Sequence, residues 1–209
     1  MTSLLNIAGN IPVSAAEEGQ SLRFEDGDSA YLSWTPASAG NRQTWTWSGW
    51  VKRGNLGVTN IPLFAANSSG VQTGIRFRSD NVLQVFRYNG SSYTWDLRTT
   101  PVYRDVSAWM NVVVAHDTTE STSSDRIKIW INGVKVTSFG TSTYPSSNYS
   151  SDINRTYAHG IGGMAGGGTL APFDGYLANV TFIDGTALTP TSFGEYDDTL
   201  WKPKSDTDI

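Results

Sequence analysis

The sequence predicts an all-β fold, an antiparallel sandwich of two sheets, and three observations carry that prediction. No stretch of ten or more residues keeps a 3.6-residue apolar period, whereas short runs alternate apolar and polar residues with the two-residue period of a strand. Turn dipeptides punctuate those runs at Asn89-Gly90, Asn132-Gly133 and Asp184-Gly185. Eight Trp, nine Tyr and eight Phe supply the bulk of a sandwich core, each buried ring removing roughly 150–250 Å² from water. At 209 residues, one domain of this kind is ordinary.

Residues 1–20 are short on aromatics and read as an N-terminal arm, with Leu4, Leu5, Ile7, Ile11 and Val13 as apolar anchors but no helical period. Alternation begins at Ser21: Leu22 and Phe24 face one way and Arg23 and Glu25 the other, and Asp26-Gly27-Asp28 turns the chain into a hairpin partner at 31–34. Residues 44–53 place Trp45, Trp47 and Gly49 on one face and Trp50 on the other, the pattern of a central strand. Strands follow at 61–66 and 74–78, the latter with Ile75 and Phe77 inward. Residues 82–88 then turn back through a two-residue Asn89-Gly90 connection onto 93–97.

Residues 108–117 and 126–131 pair across a polar loop, and the second run turns at Asn132-Gly133 into 134–136. Residues 140–156 are Ser, Thr, Asn, Tyr and Pro with few core candidates, which predicts a surface loop with a task of its own. A short strand at 158–163, a flexible Gly166-Gly167-Gly168 turn and a last long strand at 173–183 complete the set. That last strand is expected beside the 109–136 strands, sharing their interior. The domain so outlined spans 21–196, and residues 197–209 read as an extended tail.

The formal net charge of −4 and the scatter of the basic residues remove the electrostatic footprint of a nucleic-acid binder. No apolar run approaches the ~20 residues of a membrane helix, so membrane insertion is not expected. The start has neither a positive n-region nor an apolar h-region, and cytoplasmic synthesis without a signal peptide is the expectation. With no Cys in the chain, disulfides and thiol chemistry drop out together and stability rests on packing.

Three stretches together resemble the laminin-G-like, concanavalin A-like jelly roll: residues 45–51; the pair 109–117 and 129–133; and 173–180 leading into Gly185-Thr186-Ala187-Leu188-Thr189-Pro190. The resemblance covers 21–196 and implies a two-sheet jelly roll. Residues 183–196, with Trp201-Lys202-Pro203-Lys204 after them, are similar to the versions found in tailed-phage structural proteins. The same run also reads without any phage, as a strand end and a Pro190 start whose Phe193 and Tyr196 cover the sandwich edge.

A glycosidase on this fold needs two carboxylates flanking a sugar bond. The family's hydrolases carry Glu-x-Asp-x-x-Glu on a strand, and Glu17, Glu18, Glu25, Glu120 and Glu195 form no such motif. His116 and His159 are too few for a His-rich metal site, no Gly-x-Ser-x-Gly elbow is present, and His116 reads as an orienting side chain at a sheet edge. No catalytic residue is therefore assigned. The resemblance raises calcium as a cofactor, with Asp26, Asp28, Asp117 and Asp125 as the loop acids available. They match no family ligand set residue by residue and equally suit solvated turns.

Glycan binding requires aromatic faces for sugar rings beside polar groups for hydroxyls. Tyr144, Asn148, Tyr149, Asn154 and Tyr157, on or beside the long loop, supply both, and the same residues suit a contact with another subunit. The functional expectation is a non-catalytic phage virion structural protein, a surface-displayed capsid decoration or tail accessory with host-glycan binding. Its partners would be other virion proteins and further copies of itself, a homotrimer being compatible. The alternative is a free carbohydrate-binding lectin, calcium-assisted or not.

Overall fold

The two-residue periods of the sequence become fifteen strands and three single-turn 3-10 helices, in a computed structural model that describes residues 20–166 and 171–204. The arm anchors Leu4, Leu5, Ile7, Ile11 and Val13, with Gly167 and Gly168, lie outside the described residues. Numbered in chain order, a six-stranded sheet runs β1 (Ser21–Phe24), β13 (Gly175–Asp184), β3 (Thr44–Arg53), β8 (Met110–Asp117), β9 (Ile127–Ile131) and β10 (Val134–Lys135). A seven-stranded sheet runs β11 (Phe139–Thr143), β7 (Tyr93–Val102), β6 (Val82–Tyr88), β5 (Val71–Phe77), β4 (Ile61–Ser68), β12 (Ala158–Ile161) and β2 (Leu32–Trp34). Every pairing is antiparallel, as the two-sheet jelly-roll expectation requires.

The core lies between the sheets. Trp45, Trp47, Val112 and Val114 point into it from one side, and Phe64, Ile75, Phe77, Val85, Trp95 and Leu97 from the other. Full burial of an aliphatic or Phe side chain stabilises by about 1.5–3 kcal/mol, so this aromatic-rich layer is the main source of cohesion in a chain without disulfides. Strand β3 is central, between β13 and β8. At Asn132-Gly133 the expected two-residue turn forms: Val134 lies opposite Ile131, and both turn residues have positive φ, 49° and 77°.

Several expectations are corrected. Strand β1 pairs with β13 and β2 with β12, in opposite sheets, so residues 21–34 make no hairpin. Asp26–Asp28 is a 3-10 turn followed by Ser29 at φ 53°, and it carries the chain from one sheet to the other. Leu22 sits on an edge strand and stays 53% exposed while Phe24 is buried. The β6–β7 connection is four residues, because Tyr88 opposes Tyr93 and the Asn89 carboxamide oxygen accepts the Ser91 and Ser92 N–H groups. Strand β13 does not neighbour β8, since β3 inserts between them, although Leu177, Val112 and Val114 do share one interior. Residues 140–156 are more than a surface loop: 139–143 add a strand to the sheet edge, and Ser151, Asp152 and Ile153 are buried.

The C-terminal segment also departs from the tail expected after 196. Strands β14 (Gly194–Asp197) and β15 (Leu200–Pro203) form a hairpin of their own. Phe193 packs with Val113, Ala115 and Trp130 on the outer face of the six-stranded sheet, rather than at a sandwich edge. Trp201 is buried and its indole N–H donates to Asn111 Oδ1 at 3.2 Å. Gly133 and Gly194 make room for that indole, since a Cβ at either would fall 2.5–2.6 Å from its ring. Among the described residues this covers the β8–β9 part of one outer face and leaves the outer face of the seven-stranded sheet as the broader strand surface.

Candidate functional site

Alternation along β5, β6 and β7 sends Arg76, Gln84, Phe86, Asp96 and Arg98 outward, opposite the inward Ile75, Val85 and Leu97. Register places them side by side, with Gln84 opposite Arg76 on one flank and Arg98 on the other. They form a connected array. Arg76 Nε donates to Gln84 Oε1 at 2.8 Å, Gln84 Nε2 donates to Asp96 Oδ1 at 2.6 Å, and Arg98 pairs with Asp96 Oδ2 at 2.6 Å. The Arg76 guanidinium lies 3.9 Å from the Phe86 ring centroid, a cation–π contact.

Tyr93 caps the array. Arg76 Nη2 donates to its hydroxyl oxygen at 2.5 Å, and the Arg98 guanidinium lies 5.4 Å from its ring centroid. Phe86 and Tyr88 meet it edge-on, at 5.9 and 5.5 Å. The ring is thus held in place while remaining 37% exposed, beside exposed Thr94. Arg76 is 2% exposed and touches no carboxylate among the described residues, and burial lowers its pKa from the ordinary guanidinium value.

Across the same face, residues 162–166 fold over β4 and β12. Asn67 Nδ2 donates to the Ala165 and Gly166 carbonyls at 3.2 and 2.9 Å. Gly160 lets that loop approach, since a Cβ there would lie 2.4 Å from the Gly163 carbonyl oxygen. The result is a floor of buried, mutually bonded Arg76, Gln84 and Asp96 under a surface on which Tyr93, Thr94 and part of Arg98 are exposed, bounded on one side by a loop.

The site residues read from the sequence lie elsewhere. Tyr144 and Tyr149 are half-buried against the main core, and burial raises both phenol pKa values. Asn148 spends its backbone on Thr118 and Gln43, and the Tyr149 carbonyl accepts from Thr118 Oγ1. Asn154 donates to Asp184 Oδ1 at 2.6 Å and to the Asn41 carbonyl, while Tyr157 lies under the Arg155 guanidinium at 4.4 Å. These residues hold the loop onto the 41–43 segment and its surroundings. Sequence reading overlooked the β5–β7 array because its members alternate as any solvent-facing residues do; the signal within reach was two arginines and a tyrosine on neighbouring strands.

The acids considered for calcium disperse. Asp117 Oδ1 accepts from Thr44 and Thr119, Asp125 sits 3.7 Å from Lys128, and Asp28 is exposed on its turn. Asp26 joins Glu25 and Asp174 with carboxylate oxygens within 4.8 Å of one another. Arg23 bridges that group, 2.7 Å from Glu25 and 2.6 Å from Asp174, and Asn55 donates to Asp26. A calcium ion would have to displace the guanidinium, so the donor set does not fit one. His116 is fully buried, stacks on Trp45 at 4.8 Å and makes the expected hydrogen bond, from Nδ1 to the Gln43 carbonyl at 3.1 Å, but on an interior strand rather than at a sheet edge.

Residues 26–192 match the family model Laminin_G_3, described as the concanavalin A-like lectin/glucanases superfamily. No curated protein sequence matches the chain. Among solved structures, domains LG4-5 of the mouse laminin α1 chain are similar at TM-score 0.57 and 16% identity over 90% of this chain and 48% of that one. The heptameric SAP-like pentraxin of Limulus polyphemus gives TM-score 0.52 and 18% identity over 76% of this chain and 71% of that one. The CBM40 of the Ruminococcus gnavus IT-sialidase gives TM-score 0.52 and 14% identity over 77% and 95%. At these identities the likeness is one of fold.

Proposed function

The chain belongs to the concanavalin A-like lectin/glucanase superfamily, and we propose that it is a non-catalytic glycan-binding module whose binding face is the outer surface of the seven-stranded sheet around Tyr93. The observation that carries this reading is the exposed Tyr93 ring, fixed by Arg76 and Arg98 in an array of donors and acceptors. A sugar stacks on such a ring and exchanges its hydroxyl–water bonds for bonds to fixed side chains, with little rotamer entropy left to lose. Support for a non-catalytic role is the single carboxylate of the array, Asp96, engaged by Gln84 and Arg98, where glycoside hydrolysis uses two.

We place this module on a tailed-phage virion, as a capsid decoration or tail accessory, on the strength of the phage-like run from 183 to 204. That run forms a third layer, packed on the outer face of the six-stranded sheet through Phe193 and Trp201. The test has two arms. On a glycan array the folded protein is expected to give specific signals that Tyr93→Ala removes; an array silent for the wild type overturns the binding reading. Mass spectrometry of purified particles is expected to find the chain as a stoichiometric component, and its absence from particles favours the free lectin.

A further inference from the structure

The binding face has a charge character of its own. The whole chain carries a formal charge of −4, yet this face gathers Arg76, Arg98 and, two residues beyond Arg76 on the same side of the chain, Arg78. Arg78 is close enough to Arg76 for the two cations to repel. Against them stand Asp96, at the centre of the array, and Asp80, exposed on the adjoining turn 3.5 Å from Arg78 without a hydrogen bond to it. Among the described residues, three guanidinium groups over two carboxylates leave an excess of positive charge, and Arg76 is buried against Gln84, Phe86 and Tyr93 with no described counter-ion in contact.

Among the described residues the Nε atoms of Arg78 and Arg98 make no hydrogen bond, Arg78 Nε standing in a loose 3.5 Å ion pair with Asp80 and Arg98 pairing with Asp96 through Nη2. The Arg78 and Arg98 side chains keep 23% and 29% of their surface exposed, and an anionic acceptor is the group that bonds a guanidinium best, in a charge-assisted bond roughly twice as strong as a neutral one. The Arg76 and Arg98 guanidinium groups lie 5.9 and 5.4 Å from the centroid of the partly exposed Tyr93 ring. A pyranose stacked there presents its ring substituents to both.

We infer that this face takes an acidic glycan, with a sugar carboxylate set against the guanidinium groups beside Tyr93. The inference rests on the reading that the face binds glycan, and it fails separately from that reading. The experiment is calorimetric titration of the full chain with oligogalacturonide, with a neutral galacto-oligosaccharide of equal length, and with a sulfated galactan oligosaccharide, each at low and high salt.

The uronide is expected to bind about tenfold or more tightly than the neutral sugar, the size of one well-placed charge-assisted bond. That preference should narrow with salt. Arg98→Gln is expected to bring the acidic-to-neutral ratio close to one, and Arg78→Gln, which leaves Asp96 paired, to reduce it. Arg78→Gln also keeps the test sound where Arg98→Gln fails to fold, as judged by near-ultraviolet circular dichroism. Equal affinity for neutral and acidic sugars, with both lost in Tyr93→Ala, overturns the acidic assignment and leaves the binding face standing. Preference for the sulfated sugar alone overturns the carboxylate. No binding by any of the three, together with a silent array, removes both readings.

Discussion

Arg76 and Tyr93, seventeen residues apart on β5 and β7, are joined across the outer face of the seven-stranded sheet by a 2.5 Å hydrogen bond from a buried guanidinium to a half-exposed phenol. The bond spans the intervening strand β6 and ties the ring that would receive a ligand to the floor beneath it. Tyr93→Phe keeps the ring and deletes the acceptor, stranding Arg76 Nη2. Urea denaturation is expected to show a loss of about 1 kcal/mol, the usual worth of a hydrogen bond whose donor is left unpaired at a partly wet site. An unchanged midpoint would mean that the phenol does not anchor the array.

Trp201 makes the C-terminal hairpin part of the fold. Its indole is buried over Gly133 and Gly194 and its N–H satisfies Asn111 Oδ1 inside the outer layer. Trp201→Ala is expected to destabilise by about 3–5 kcal/mol, visible as a lowered thermal midpoint. A loose tail would lose nothing.

Gly160 sets the height of the loop bounding the proposed binding face. A Cβ there meets backbone atoms, the Gly163 carbonyl oxygen at 2.4 Å and the Ala165 nitrogen at 2.9 Å, and backbone cannot rotate aside. Gly160→Ala is expected to cost about 1–3 kcal/mol and to speed hydrogen exchange across residues 162–166. Wild-type exchange in that segment would contradict the packing described.

Both histidines are held neutral. His159 Nδ1 donates to the Tyr157 carbonyl at 2.8 Å and its Nε2 accepts the Asn154 N–H at 3.0 Å, so a second ring proton would face another donor. Burial lowers the pKa of His159 and brings His116 down to about 4 from 6.5. The folded state therefore binds fewer protons than the unfolded chain. Stability is full above about pH 6.5 and falls as the pH drops towards 4, by roughly 3 kcal/mol for His116 alone. In urea titrations between neutral pH and about pH 5, His116→Phe should flatten this dependence. A dependence of wild-type steepness in that variant would assign the effect elsewhere.

Calcium is not expected to matter to the site, because among the described residues the one three-acid cluster, Glu25, Asp26 and Asp174, already has Arg23 paired with two of its carboxylates and Asn55 donating to the third. Glycan binding and the thermal midpoint should be the same in chelator and in calcium. A rise in either on adding calcium would contradict the placement of Arg23.

Much of the fold was legible because burial writes a period into the chain. Trp45, Trp47, Ile75 and Phe77 alternate against polar neighbours and face the interior, and Val112 and Val114 face it too, with Val113 and Ala115 between and after them turned to the outer cluster. What pairs with what was less legible. Residues 21–34 read as a hairpin because adjacency in sequence is the default, whereas Asp26–Asp28 crosses between sheets and each strand takes its partner more than a hundred residues away. The third layer hid behind a short, polar C-terminal run in which Phe193 and Trp201 carry the packing. The candidate site was hidden for a related reason: Arg76, Gln84, Asp96 and Arg98 are outward residues on three strands, and register alone brings them together.

Backbone amide shifts recorded while the protein is titrated with an array-positive glycan locate the binding face directly. The largest changes are expected at Tyr88, Tyr93, Thr94 and Arg98, with the segment 144–157 nearly still. Changes centred on Tyr144, Tyr149 and Tyr157, or on the six-stranded sheet, would place binding elsewhere and contradict the assignment.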